Sequence, residues 1–170
     1  MDYSFLYEMV LILIPLYIAN STAMFLGGKT RLDFSLNFPD NKPLLGEGKT
    51  IKGTFLGMLA GMLAVYLINY YFQGKVPIIE NYFEYGILLA VGAILGDLIG
   101  SFIKRRMDIE RGKPVLLLDQ LDFVIFGVFL GSLIYSISAE LFIVICVVTL
   151  IAHKLSNWIA FKIKLKKVPW

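Results

Sequence analysis

The sequence predicts an all-α integral membrane protein with five transmembrane helices. Hydrophobic residues make up 58% of the 170-residue chain and charged residues only 17%. The apolar residues form runs of about twenty, the length that a helix needs to cross a bilayer. Because the bilayer core offers no water to backbone groups, each run is expected to be helical. The predicted helices, in one membrane domain over 1–170, are 5–26, 53–73, 82–103, 121–138 and 141–161.

Taken in order, the five runs differ in character. The first opens Met-Asp-Tyr-Ser without a basic residue and reaches no small-residue cleavage site, so it is expected to stay as a helix and not to be a signal peptide. The fifth carries the single cysteine, Cys146, which is expected to be a core residue. The second, third and fourth carry glycines at every fourth position, which predicts close helix packing. These glycines are Gly53, Gly57 and Gly61, Gly92, Gly96 and Gly100, and Gly127 and Gly131.

Basic residues predict the orientation of these helices. They are concentrated in the first and third connections and at the C-terminal end. The other side of the membrane has only Lys75, which is outnumbered there by the acids Asp2, Glu8, Glu80, Glu84 and Glu140. The positive-inside rule therefore predicts an outside N-terminus, an inside C-terminus and two cytoplasmic loops that form the functional site of a multi-pass cell-membrane protein. A basic inner face would attract anionic lipid headgroups or nucleotides. The C-terminal lysines are expected to serve only as topology signals.

Asp97 lies inside the third apolar run, where a charge is costly unless it is paired or bound to a metal. Ser101 and Lys104 follow at i+4 and i+7, so the three side chains share one helix face. Asp97 is expected roughly 10 Å deeper in the membrane than Lys104. Its compensating charge could be a lysine, a proton or a metal ion, and a simple buried ion pair remains open.

Asp119 and Asp122 are three residues apart and face the same way if the fourth helix begins at or just before them. Either one alone could be an ordinary helix N-cap. Together with Asp97 at the same membrane face, they favour a divalent cation such as Mg²⁺, which proteins hold through one or two carboxylates and substrate phosphates. Structural ion pairing is the alternative.

The first cytoplasmic connection contains a second candidate element, GKTIKGT at 48–54, which runs into the second helix. Lys49, Thr50, Lys52 and Gly53 could form a phosphate cradle with free backbone amides at the helix start. Flanking lysines are also common where a helix enters a bilayer. The segment is not a P-loop, because the first glycine of that motif would fall at Pro43.

Two further polar groups lie within apolar runs. The Asn20 amide matches the expected depth of Asp97 and could bind a substrate or another helix. His153 is expected to be structural, because no acid or second histidine stands at ligand spacing.

The order GDL at 96–98, S-x-x-K-R at 101–105 and D-x-x-D at 119–122 resembles the signature of the CTP-dependent phosphatidate cytidylyltransferase family. The chain departs from that family in its five spans and in a short loop with Arg111, where the family has a His-Gly-Gly segment and a longer loop. With the 48–54 motif, the compact form resembles the archaeal relatives of that family, the CDP-archaeol synthases, over essentially the whole chain.

The resemblance implies that a membrane lipid phosphate with isoprenoid tails, unsaturated archaetidic acid, attacks the α-phosphorus of CTP to give a CDP-lipid and pyrophosphate. It implies Mg²⁺ as cofactor, CTP, the lipid phosphate and the bilayer as partners, and no nucleic acid. The implied metal ligands are Asp97, Asp119 and Asp122, and Lys104 joins them as a catalytic residue. The implied substrate-binding residues are Asn20, Lys49, Thr50, Lys52, Gly53, Ser101, Arg105 and Lys113.

Other functions are open to test. A phosphatidate cytidylyltransferase would act on ester lipids, and a lipid-phosphate or ion carrier would use Asp97 as its ion site. A carrier should show polar groups through the membrane depth, whereas here they cluster at the inner side. The D-x-x-D-G-x-x-A-R pattern of CDP-alcohol phosphatidyltransferases is absent, since Phe123 follows Asp122. The aspartate-rich motifs of prenyltransferases are also absent.

Overall fold

The computed structural model describes residues 4–109, 113, 115 and 117–164. In these ranges the chain forms five α-helices, which confirms the all-α class. Four of them, all except α4, are long and apolar enough to cross a membrane, which supports a multi-pass membrane protein. The helices are α1 (Ser4–Phe25), α2 (Ile51–Tyr71), α3 (Tyr82–Arg106), α4 (Leu118–Gly131) and α5 (Ala139–Lys162).

Successive helices run antiparallel and meet through small residues. A Cβ added to Gly61 would lie 2.6 Å from the Ala90 side chain of α3, and one added to Gly92 would lie 2.6 Å from the Phe126 backbone oxygen of α4. These contacts confirm the close packing that the glycine spacing predicted. We call the end where α3 stops at Arg106 and α5 stops at Lys162 the basic end, and the end where α1 and α3 begin the opposite end.

Helix α4 is the element that differs most from its prediction. It begins at Leu118 and ends at Gly131, whereas the sequence predicted a helix over 121–138. Beyond Gly131 the chain turns, and the Ser132 hydroxyl donates to the Phe129 carbonyl at 2.7 Å. Ser138 caps α5 by accepting from the Leu141 amide at 3.1 Å. Serine hydroxyls that bond to nearby backbone favour turns and caps over helix interior, which explains the early end.

The core lies between α1, α3 and α4, where Leu16, Tyr85, Leu89 and Phe123 are fully buried. By contrast, α2 and α5 present apolar side chains on their outer faces. A helix that is apolar all round is typical of a membrane span. The fold therefore has a packed interior and an apolar exterior, with most of its charged side chains at the basic end.

The connection from α1 to α2 is ordered by one buried carboxylate, that of Asp33. It accepts hydrogen bonds from the amides of Ser35 at 3.0 Å, Leu45 at 3.0 Å and Gly46 at 2.9 Å. Burial alone would raise the pKa of Asp33, but these amides and nearby Arg31 outweigh burial and hold the pKa below its usual value. The connection is thus folded back on itself before α2 begins.

The same connection is attached to the end of α3 by charged groups. Lys42 pairs with Asp108 at 2.6 Å and donates to the Arg106 carbonyl at 3.1 Å. Arg106 in turn pairs with Asp40 at 2.9 Å, and its guanidinium lies over the Phe38 ring. These contacts hold the loop against the basic end of the bundle.

Candidate functional site

A polar cavity of about 110 Å³ opens at the basic end, between the first connection and the last turn of α3. Three cationic side chains and one carboxylate line it, so it presents a net positive charge to an incoming ligand. A phosphate group is the ligand chemistry that such a lining suits. The lining residues are Leu45, Gly46, Glu47, Gly48 and Lys49 from the connection, and Ser101, Lys104 and Arg105 from α3.

A larger and more open pocket of about 740 Å³ lies at the opposite end of α2. It is lined by tyrosine, leucine and amide side chains such as Tyr70 and Asn69, and it has no carboxylate, lysine or arginine. Without charged groups it offers no means of neutralising a phosphate. The smaller polar cavity is therefore the candidate functional site.

Asp97 lies beside this cavity and is paired with Lys49, with the carboxylate and ammonium groups 2.5 Å apart. Lys49 comes directly before Thr50, the N-cap residue of α2, so the start of α2 places it against α3. Both side chains are about four-fifths buried. Of the compensating charges considered for Asp97, the structure shows a lysine.

Asp119 has a similar arrangement on α4. Its carboxylate pairs with Lys104 of α3 at 2.6 Å and accepts a hydrogen bond from the Val115 amide at 3.0 Å. It does not cap α4, because Leu117 occupies the cap position without a side-chain hydrogen bond. The carboxylate instead ties the chain before α4 to the end of α3.

Asp122 is buried and lies against the backbone of α3. A Cβ added at Gly100 would overlap the Asp122 carboxylate, so only glycine leaves room for the acid there. The carboxylate accepts from the Phe123 amide at 2.7 Å, and no described residue forms an ion pair with it. It lies within electrostatic range of Asp97, Asp119 and Lys49. A buried carboxylate beside two others calls for further positive charge.

Four of the predicted catalytic and substrate-binding residues line the cavity, and the others do not. Ser101 and Lys104, which were predicted to share a helix face, line it together with Lys49 and Arg105. Lys52 is exposed, and its stem packs at Gly28. Asn20 and Lys113 do not line the cavity, and Arg111 lies outside the described residues.

The start of α2 also differs from the expected cradle of free amides. The Ile51 amide donates to the Thr30 carbonyl at 3.1 Å, and the Gly53 amide donates to the Thr50 hydroxyl at 3.2 Å. A Cβ added to Gly53 would lie 2.6 Å from the Ala23 carbonyl, so this glycine serves helix packing. Thr50 and Gly53 therefore build the start of α2, and the cationic side chains of the cavity are the candidate anion-binding groups.

Sequence reasoning missed the residues that shape the cavity from the loop side. Asp33 holds Leu45 and Gly46 in place, and Glu47, paired with Arg31, lines the cavity. An aspartate two residues before a serine is a recognisable turn signal. No sequence signal indicates the hydrogen bonds from Leu45 and Gly46 to Asp33, which lies 12 and 13 positions earlier in the chain.

The carboxylates do not form a metal site by themselves. In the part of the chain that the structure describes, no group of three or more His, Cys, Asp or Glu residues is arranged to hold a metal ion. Hard oxygen donors of this kind nevertheless fit Mg²⁺, which needs only one or two carboxylates when phosphates complete its shell. The residues thus fit a metal that is held jointly with a phosphorylated substrate.

A bundle of apolar helices with a cation-lined cavity and acids beside it defines a membrane-embedded enzyme that acts on phosphate groups. Residues 3–170 match the family model described as "CarS-like: CDP-archaeol synthase". The chain belongs to the CDP-archaeol synthase family, and it is therefore a CTP-dependent cytidylyltransferase of archaeal lipid synthesis. The resemblance that the GDL, S-x-x-K-R and D-x-x-D motifs indicated is confirmed.

Curated relatives and a solved structure agree with this assignment. The chain is 41% identical to the CDP-archaeol synthase of Methanocaldococcus jannaschii, with the whole of both chains covered. It is 36% identical to that of Pyrobaculum calidifontis, over 96% of this chain and 97% of the relative. A structure described as an intramembrane enzyme for archaeal membrane lipids biosynthesis superposes with a TM-score of 0.79 at 34% identity, and covers 88% of this chain and 92% of that one.

Proposed function

We propose that the protein transfers CMP from CTP to the phosphate of an archaeal ether lipid, unsaturated archaetidic acid, and releases CDP-archaeol and pyrophosphate. A lipid phosphate oxygen forms a bond to the α-phosphorus of CTP, and the bond from that phosphorus to the oxygen bridging to the β-phosphorus breaks. The observation that carries the proposal is the cation-lined cavity at the end of apolar helices. A cavity in that position can be reached both by CTP from the water and by a lipid phosphate whose tails stay in the bilayer.

The cavity residues would bind and align the two anions. Lys49, Lys104 and Arg105 would contact phosphate oxygens, and the Ser101 hydroxyl would add a hydrogen bond. A lipid phosphate is already anionic near neutral pH, so the attacking oxygen needs no general base. Holding two polyanions in line against their mutual repulsion is the main task of the site.

Mg²⁺ is part of the proposal. Asp97, Asp119 and Asp122 would hold it together with phosphates of CTP. When bound, the metal would neutralise charge that develops on the phosphates during transfer. Support comes from the hard oxygen donors of the three acids and from the buried Asp122, which no described residue pairs.

We propose further that all five helices cross the membrane, with the N-terminus outside and the basic end in the cytoplasm, where CTP is made. Helix α4 is 14 residues long, about 21 Å, which is shorter than the hydrocarbon core. Residues 132–138 would carry the chain the remaining distance to α5. The bias of lysine and arginine towards the basic end supports this orientation.

A direct assay tests the reaction. Purified protein in lipid nanodiscs is given CTP, Mg²⁺ and either archaetidic acid or ester-linked phosphatidic acid, and CDP-lipid and pyrophosphate are measured. We expect both products in equal amounts with the ether lipid and none with a chelator present. Faster turnover of the ester lipid would assign the chain to the ester-lipid reaction.

A second arm of the assay addresses the carrier alternative. Vesicles containing the protein are loaded with lipid phosphate, and its transbilayer movement is followed without CTP. No nucleotidyl transfer to any lipid phosphate, together with such movement, would overturn the enzymatic proposal.

A further inference from the structure

We propose that Lys49 and Lys104 are exchangeable counter-ions that make the metal and the nucleotide bind together. Each lysine holds an acid, Asp97 or Asp119, until a polyphosphate draws the lysine away and leaves the acid to the metal. This inference rests on the proposed function, because it takes CTP as the polyphosphate. It concerns how the site is filled and not which bond is made.

The position of the pairs relative to the cavity supports the exchange. Lys49 and Lys104 both line the cavity, whereas Asp97 and Asp119 do not. A ligand that enters the cavity therefore meets the ammonium groups first. Each ammonium is within 2.6 Å of its carboxylate, so no cation can approach that side of the acid until the lysine moves.

A third lysine–aspartate pair in the same region shows what distinguishes these two. Lys42 and Asp108 are also 2.6 Å apart, but Asp108 is 77% exposed and lies outside the cavity lining. The Asp97 and Asp119 side chains are only 23% and 28% exposed. A half-buried carboxylate needs a counter-ion much more than an exposed one does. Exchange is thus expected at two pairs and not at the third.

The cavity is small for a nucleotide. Its volume of about 110 Å³ is below the roughly 300–1,000 Å³ that is typical of small-molecule sites. We expect a nucleoside triphosphate to need more room than this cavity offers. Withdrawal of the two lysine side chains from their acids towards the phosphates would enlarge the site and expose the carboxylates in one step.

The exchange predicts positive coupling between the two ligands. A divalent cation alone would have to sit beside an ammonium group, and a polyphosphate alone would leave a half-buried carboxylate without a partner. Bound together, each ligand removes the obstacle to the other. Coupling of this kind is reciprocal and commonly amounts to between about 5-fold and 150-fold in affinity.

Metal binding without nucleotide is the first test. Mn²⁺ binding to the full chain is measured by electron paramagnetic resonance, in the absence of CTP, for wild type, Lys49→Met, Lys104→Met and Lys42→Met. We expect the first two variants to bind Mn²⁺ at least about tenfold more tightly than wild type, because each frees an acid. Lys42→Met removes the same charge from the exposed pair and should match wild type. Unchanged affinity in both cavity variants would overturn the inference.

Wild-type protein provides a test that does not depend on the variants folding. A zero-length carbodiimide reagent joins a lysine to a carboxylate in contact with it, and mass spectrometry locates the bond. We expect bonds from Lys49 to Asp97 and from Lys104 to Asp119 in the free protein, and their loss with Mg²⁺ and CTP. The Lys42 to Asp108 bond should persist and serves as internal control. Persistence of all three bonds with bound nucleotide would contradict the exchange.

The two proposals can fail separately. Tighter Mn²⁺ binding in Lys49→Met without any CDP-lipid formed by wild type would sustain the exchange and remove the cytidylyl transfer. CDP-lipid formation by wild type, with unchanged Mn²⁺ affinity in Lys49→Met and Lys104→Met, would sustain the cytidylyl transfer and remove the exchange.

Discussion

At the opposite end of the bundle, polar groups are satisfied by neutral donors, whereas at the basic end they are satisfied by charge pairs. The Tyr82 hydroxyl donates to the Leu11 carbonyl at 2.9 Å in the fully buried interior, and the Tyr135 hydroxyl donates to Glu8 at 3.0 Å. The basic end uses Lys49–Asp97 and Lys104–Asp119. The bonds at the opposite end attach α3 and the segment after α4 to α1, whereas the pairs at the basic end attach the start of α2 to α3 and α3 to α4.

This difference indicates that the two ends have different roles. The Tyr82 hydroxyl is bonded to a buried carbonyl far from the cavity, so we expect it to hold α3 to α1 whether or not a ligand binds. A lysine–aspartate pair beside a cavity can separate when a ligand supplies opposite charges. The opposite end therefore maintains the frame, and the basic end is free to respond to ligands. Substitutions at the two ends should separate activity from stability.

The largest effect is expected from the acids at the basic end. Asp97→Asn or Asp119→Asn should lower cytidylyl transfer at least about a hundredfold, as when charge stabilisation of the transition state is lost. Turnover of CTP into CDP-lipid is the measurement. Asp108→Asn, in the exposed pair with Lys42, is the matched control and should stay within about twofold of wild type. Wild-type turnover in both Asp97→Asn and Asp119→Asn would remove the acids from the mechanism.

Gly100→Ala should give the next largest effect. The added methyl would overlap the Asp122 carboxylate and displace it, which should lower turnover at least about tenfold. Gly27→Ala is the control, since its Cβ would lie 3.6 Å from the nearest atom, the Thr50 hydroxyl. We expect Gly27→Ala to retain activity. Equal activity in the two variants would show that the position of Asp122 is not critical.

Asp33→Ala should weaken the first connection. Its loss leaves the partly buried amides of Leu45 and Gly46 without their acceptor, at a cost of about 1–3 kcal/mol in loop stability. Hydrogen exchange of those amides should accelerate while amides of α3 remain protected. Ser35→Ala, which keeps the carboxylate, should leave the exchange near wild type. Unchanged protection in Asp33→Ala would mean that other contacts hold the loop.

The same carboxylate should make the loop sensitive to acid. Its pKa is held below the usual value in the folded protein, so its contribution is complete above the unfolded pKa of about 4. That contribution is lost as the pH falls through the folded pKa. We expect the Leu45 and Gly46 amides of wild type to lose protection, after correction for intrinsic rates, only below about pH 4. Asp33→Asn should not show this pH dependence.

The smallest effect belongs to the opposite end. Tyr82→Phe removes one buried hydrogen bond and should lower the free energy of unfolding by about 1 kcal/mol. Turnover should be unchanged, because the hydroxyl is far from the cavity. Thermal denaturation in detergent and the CDP-lipid assay give the two readings. A large loss of activity in Tyr82→Phe would break the proposed division between the two ends.

Much of this arrangement could be predicted from sequence because it depends on local pattern. The apolar runs indicate the helices, and the i, i+4, i+7 spacing puts Ser101 and Lys104 on the face of Asp97. The end of α4 at Gly131 could not be predicted, because the apolar run continues past it.

The partners at the site were less accessible to sequence reasoning. Sequence left Asp97 with a lysine, a proton or a metal ion, and only the packing of α2 against α3 selects Lys49 across 48 positions. Asp33 was missed because its bonds to Leu45 and Gly46 depend on how the loop folds back. Long-range contacts of this kind follow from tertiary packing and leave no periodic signal.

The chain order of the two lysine–aspartate pairs has a consequence for biosynthesis. Lys49 precedes Asp97, and Lys104 precedes Asp119, so each cation is synthesised before its acid. Because translation proceeds from the N-terminus, the positive partner already waits at the membrane surface when the aspartate leaves the ribosome. Each acid can then be neutralised as its helix inserts. The same lysine–aspartate pairs would thereby also ease the passage of the acids into the bilayer.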